Sequence, residues 1–182
     1  PQHQVGAGGA VPHPAEVVPI RVFGARLETS AAVLAAAVRW GAAEGLHLLN
    51  LSLGTLAIHG VVPLYAACEG ARRGGTTVVA AVHAGRGWSY PAIFANAIGV
   101  GALEGAERAL EVRPDEAVEC LAPAEHDGVR APGGALRRVR GTSFAAPVVT
   151  GIAARLLERS PGAGLEEVRE LLRRFASECV SA

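Results

Sequence analysis

Lysine and methionine are absent from this chain of 182 residues. All 17 basic residues are arginine, and 17 acidic residues balance them to a formal net charge of zero. That balance removes the basic field that a nucleic-acid partner requires, so no polyanion partner is expected. Aromatic residues are scarce, 4 % against 50 % hydrophobic residues, so the core must be aliphatic, rich in alanine and built from closely packed elements. The three cysteines, Cys68, Cys120 and Cys179, are odd in number and lack metal-ligand spacing. A disulfide framework and a zinc site are thereby disfavoured, and no cofactor is expected. Cys68 and Cys120 read as small buried hydrophobes. No apolar run approaches the ~20 residues of a membrane span, so no membrane partner is expected. The opening PQHQVGAGGAV lacks the basic start and apolar stretch of a secretory signal, which favours the cytoplasm. Without a starting Met, the chain is expected either to have lost an initiator or to be cut from something longer. Only two aspartates occur, Asp115 and Asp127, both in the second half.

What is present is a regular alternation. Residues 15–23, AEVVPIRVF, are short, apolar and β-branched, and predict a buried strand. Residues 29–44 predict a helix capped by Thr29 or Ser30, with Val33, Leu34, Ala37 and Val38 on one face and Gly45 at its end. LHLLNLSLG (46–54) predicts a strand covered on both faces. VPLYAACEGARRGG (62–75) predicts a second helix, and residues 76–85 and 97–103 two further strands. Strand, helix, strand, helix, strand implies a parallel sheet with helices on both faces. Residues 104–139 are charged, rich in Pro and Gly, and predict loops and edge strands. Two helices follow, one from about Ser143 and one over 165–175. The second begins with Glu166 and Glu167 and ends with Arg173 and Arg174, as the helix dipole favours. The chain reads as one domain, 1–182.

In open parallel α/β sheets, sites form at the carboxyl ends of the strands. Three segments fall there: Asn50 to Gly54, Val82 to Gly85, and the loop entering the helix in RGTSFAAPVVTGIAARLLER (140–159). Ser143 in that loop has two readings. Serine is a favoured helix N-cap. A serine at a helix start is also surrounded by unpaired N–H groups that can stabilise an oxyanion. Pro147 is tolerated only in a first helical turn, which sets the helix start near Ser143.

The segment from 140 onward resembles the nucleophile motif of the subtilisin-like serine proteases, Gly-Thr-Ser-Met-Ala-x-Pro-x-Val-x-Gly. Gly141, Thr142, Ser143, Ala145, Pro147, Val149 and Gly151 match, with Phe144 in place of Met. NLSLG at 50–54 is similar to the family's substrate-binding segment, and VVAAVHAGRGWSYPAIFANAIGVGA to its oxyanion strand and the Tyr-Pro-Ala that follows. The resemblance covers nearly the whole chain from about residue 15. It implies a three-layer α/β fold with a mostly parallel sheet, and an endopeptidase acting through an acyl-enzyme on Ser143. It also implies Ser52, Leu53 and Gly54 as the peptide-binding edge.

The departures are specific. The family works through Ser, His and Asp in chain order Asp, His, Ser. Its His-Gly-Thr motif has only His3 as a counterpart, with Gln4 and Val5 in place of Gly-Thr. At the end of this chain, His3 reads equally as a terminal histidine without a role. The family's Asp-bearing strand lies further upstream and is lacking here, so another segment or another chain is expected to supply it. The oxyanion asparagine aligns with Ala84, beside His83. Loss of that donor costs about 3–4 kcal/mol of transition-state stabilisation in a subtilisin. His83 can replace the donor, or can be a buried, hydrogen-bonded strand histidine. His13, His47, His59 and His126 read as surface or loop residues. The run Arg137, Arg138 and Arg140 reads as a solvated face or as a preference for acidic substrate residues. The alternative to an enzyme is a catalytically silent module of the same fold that binds peptide or partner proteins in the same cleft.

Overall fold

The computed structural model describes residues 15–105, 108–131 and 133–179. In chain order they form α1 (Ala31–Ala43), β1 (Leu48–Leu51), α2 (Val61–Arg73), β2 (Thr77–Ala81) and β3 (Ile98–Leu103). Next come β4 (Glu111–Val112), β5 (Cys120–Pro123), β6 (Glu125–Arg130), β7 (Leu136–Arg140), α3 (Thr142–Leu157) and α4 (Leu165–Glu178). The main sheet has the order β1-β2-β3-β5-β4. β1, β2, β3 and β5 run parallel, and β4 pairs with β5 antiparallel. β6 and β7 form a separate antiparallel hairpin.

Alternation along β2 divides the core. Val78, Ala80 and Val82 pack with Leu49, Leu51 and the inner faces of α1 and α2. Val79 and Ala81 face the other way, with Val100, Cys120 and Ala122, onto α3 and α4. Every residue of β2 is buried, as a central strand between two helical layers must be. This is the three-layer, mostly parallel architecture read from the sequence. Ala145, Ala146 and Ala153 are fully buried. Their small side chains let α3 lie close on the sheet, which is how a core poor in aromatics reaches native packing density.

Local chemistry explains the helix ends. The Ser30 hydroxyl accepts the Val33 N–H at 3.2 Å and caps α1. Glu167 Oε2 accepts the Gly164 N–H at 3.1 Å at the start of α4. Four expectations change. Residues 15–24 are not a strand, and Val17 is 85 % exposed. A strand is defined by its neighbour, and among the described residues no strand pairs with this segment or with the outer edge of β1. Val33 is 45 % exposed, because α1 is rotated so that Leu34, Ala35, Val38 and Gly41 face inward. The stretch 104–139 is not merely peripheral either: β5 sits inside the sheet between β3 and β4. Four residues with buried alternate positions suffice for an interior strand, too few to stand out among flanking charges. Pro147 lies beyond the first turn of α3.

Candidate functional site

Three chain segments meet at the carboxyl ends of β1 and β2. α3 enters there through Gly141, whose φ of +148° and ψ of 156° suit glycine alone. The Gly141 N–H is anchored to the Ala124 carbonyl at 2.8 Å. Gly141 is the N-cap, so Ser143 is the second helical residue and its hydroxyl is not the cap. Ser143 is half-buried. The Phe144 N–H bonds to the Gly141 carbonyl at 2.9 Å, whereas the Ser143 N–H lies ahead of any helical carbonyl, at the positive end of the dipole.

Two hydroxyls, of Thr142 and of Ser52, hold this helix start in place, a task that the motif reading gave to neither. Thr142 Oγ1 donates to the Val82 carbonyl at 2.6 Å, tying the first turn of α3 to the end of β2. Ser52 Oγ donates to the Ser143 carbonyl at 2.8 Å, from 91 residues away. Behind Ser52, Asn50 Nδ2 donates to Ser52 Oγ at 3.0 Å. Thr150 Oγ1 lies 3.1 Å from Asn50 Oδ1 and 2.9 Å from the Ala146 carbonyl. The structure thus brings Ser52 and Ser143 together. Leu53 and Gly54 continue past β1 with main-chain groups that bond to no described residue. A Cβ on Gly54 would meet Ser89 Oγ at 2.7 Å and the Tyr90 carbonyl at 3.0 Å, so glycine is required there by close packing. Next to it, Thr55 and Tyr90 exchange main-chain bonds of 2.8 and 2.9 Å.

The third segment leaves β2 as a turn. The His83 carbonyl accepts the Arg86 and Gly87 N–H groups at 3.0 and 2.9 Å, and Ser89 Oγ accepts the His83 N–H at 3.1 Å. His83 is therefore not the buried strand histidine of one sequence reading: it is exposed, one residue past the Val82 carbonyl that Thr142 holds. Its Nδ1 accepts the Gly85 N–H at 3.2 Å. Ala84 is exposed in the same turn. His3 and His13 lie outside the described residues.

The remaining candidates are dispersed. His47 and His59 are exposed, and His126 Nε2 lies 3.0 Å from the Pro123 carbonyl. Asp127 and Glu125 are engaged by Arg138 on the hairpin, while Arg137 and Arg140 are exposed. Asp115 lines a cleft of about 420 Å³ with Glu119, Glu166 and Arg169, where the chain enters β3 and β5, at the opposite end of the parallel strands from Ser143. Glu119 is buried there, and desolvation raises its carboxyl pKa despite the Arg169 guanidinium bound to it at 2.9 Å. Among the described residues, no group of three His, Cys, Asp or Glu is arranged to hold a metal ion.

Comparison with known proteins fits this arrangement. The family model described as "Subtilase family" matches residues 3–180. The chain belongs to the subtilase family. It is 30 % identical over 177 residues to M-protease of Shouchella clausii, a match covering 96 % of this chain and 46 % of that protein. It is likewise 30 % identical over 177 residues to Subtilisin Savinase of Lederbergia lenta, covering 96 % of this chain and 65 % of that one. Among solved structures it superposes on Sphericase with a TM-score of 0.67 at 22 % identity, over 80 % of this chain and 55 % of the other, a likeness of fold. The chain spans about half the length of the curated relative M-protease. The fold brings residues 50–54, 82–85 and 140–143, the three segments whose sequences resemble subtilase motifs, to one end of the sheet.

Proposed function

We propose that the chain is the nucleophile-bearing part of a subtilisin-like serine endopeptidase, with residues 1–182 as one domain of it. The observation that carries this reading is the convergence on Ser143. It stands at the start of α3, half-buried, with its helix turn fastened to the ends of both β1 and β2. Ser143 Oγ attacks the peptide carbonyl carbon as His3 takes its proton. The developing oxyanion faces the Ser143 N–H, and His3 returns the proton to the leaving amine. Water then hydrolyses the acyl-enzyme by the same steps in reverse order of partners. The main-chain groups of Leu53 and Gly54, which bond to no described residue, support their role, after Ser52, as the edge on which substrate lies as an added strand.

Two further assignments complete the reading. The aspartate that orients His3 comes from another segment or another chain, on a strand pairing with the outer edge of β1. The position of β1 at the end of the sheet supports it. Ala84 has no side-chain donor, and His83 supplies the second oxyanion hydrogen bond instead. The Gly85 N–H on Nδ1 assigns the ring proton to Nε2, which leaves Nε2–H as a donor in the exposed turn.

The test is covalent labelling with a fluorophosphonate. The wild-type chain is expected to label, Ser143→Ala not at all, and His83→Ala about 10²–10³-fold more slowly, the range known for removing one oxyanion donor from a subtilisin. Equal, weak labelling of wild type and Ser143→Ala would remove the nucleophile and leave the silent peptide-binding module as the reading.

A further inference from the structure

We infer that Ser52 is a positioning residue for Ser143, and that Pro147 creates the need for one. The inference rests on the reading of Ser143 as nucleophile. In an α-helix the carbonyl of each residue accepts the N–H four residues on. For Ser143 that residue is Pro147, which has no N–H, and whose ring crowds the same carbonyl. The peptide carrying the nucleophile is therefore left without its helical bond inside an otherwise continuous helix. Ser52 Oγ fills the vacancy at 2.8 Å.

The donor is itself directed. A serine hydroxyl has one proton and two acceptor sites. Asn50 Nδ2 donates into Ser52 Oγ, which commits the Ser52 proton to Ser143. Asn50 Oδ1 faces Thr150 Oγ1 on α3. Thr150 is seven residues on from Ser143, two turns along the same helix face. The end of β1 thus meets α3 at two points, and the one with a committed hydrogen bond is the Ser143 carbonyl. Orientation of that peptide plane sets the ψ of Ser143, and with it the relation of Oγ and the Ser143 N–H to the following turn. Small displacements of a reacting group are costly, up to about 10²-fold in rate for ~1 Å.

The experiment is a cycle of four proteins in the full natural polypeptide: wild type, Ser52→Ala, Pro147→Ala and Ser52→Ala/Pro147→Ala. The readout is the rate of fluorophosphonate labelling at Ser143, with thermal unfolding to establish that each is folded. Ser52→Ala is expected to slow labelling about ten- to a hundredfold. Ser52→Thr, which keeps the donor, recovers most of the rate that Ser52→Ala loses. Pro147→Ala restores a helical N–H to the Ser143 carbonyl, so the double variant recovers most of the rate. Rescue by a residue that contacts no substrate separates positioning from mere loss of substrate contact. Unchanged labelling in Ser52→Ala, or a double variant as slow as the single one, overturns the inference while Ser143 stands as nucleophile. A wild type that does not label overturns the nucleophile reading, and this role of Ser52 with it.

Discussion

Thr142 shows how a motif residue can serve the site without entering its chemistry. Its hydroxyl is buried and bonded to the Val82 carbonyl. Thr142→Val keeps the shape and deletes the donor, leaving that carbonyl unpaired between α3 and the end of β2. The expected cost is about 1–3 kcal/mol, read from urea unfolding, with Thr142→Ser losing much less. The Gly-Thr-Ser block is visible in the sequence, but the division of labour within it is not. Gly141 supplies a backbone conformation, Thr142 an anchor and Ser143 the hydroxyl proposed as nucleophile. The partners of Thr142 and Ser143 lie 60 and 91 residues away, in segments with no local sign of the contact.

α4 illustrates the same point with charge. Its apolar stripe, Leu165, Val168, Leu171, Leu172 and Phe175, is plain from helical spacing; Leu165, Val168 and Leu172 are buried, and Leu171 and Phe175 are half-buried. Arg169 looks in sequence like one more arginine on the polar face. In the fold it is mostly buried: Nε binds both oxygens of Glu119 at 2.9 and 3.1 Å, and a second nitrogen reaches the Ala95 and Ala97 carbonyls at 3.0 and 3.1 Å. The arginine pins α4 to the chain entering β3 and β5. Arg169→Met would strand a buried carboxylate, a loss of about 3–5 kcal/mol. Glu119→Gln/Arg169→Met should recover a large part of it, because what costs most is the unpaired charge. Urea midpoints of the three proteins test this, and equal midpoints for the single and double variants would refute it.

Stability of the whole chain against acid follows from carboxylates held by arginine. Hydrogen bonds from Arg72 and Arg73 hold Glu69 down to about 2, against an ordinary value of 4.5. Arg138 lowers Glu125 and Arg174 lowers Glu170. A carboxylate lowered on folding contributes stability above its unfolded pKa and loses it as pH falls through the folded one. The thermal midpoint is therefore expected to decline from about pH 4.5 toward 2, and Glu69→Gln to flatten that decline. Glu119 acts with the opposite sign. Burial raises its carboxyl, so its contribution is full below 4.5 and is lost as pH rises through the folded value. Glu119→Gln should remove a component that weakens the protein above that pH while leaving the acid limb unchanged.

The helices, the central parallel strands, the division of the core into two layers and the family were all legible in the order of residues. They follow from periodicity, end signals and one contiguous motif, which are properties of neighbours along the chain. Whether 15–23 would pair was a matter for the folded molecule, since a strand needs another strand beside it. The same holds for the place of β5 inside the sheet, for the exposure of His83 in a turn rather than its burial in a strand, and for the commitment of the Ser52 hydroxyl to Ser143. Pro147 joins the two levels. Its missing N–H is written in the sequence, but which group would satisfy the carbonyl it abandons depended on which segment the fold brought within 2.8 Å.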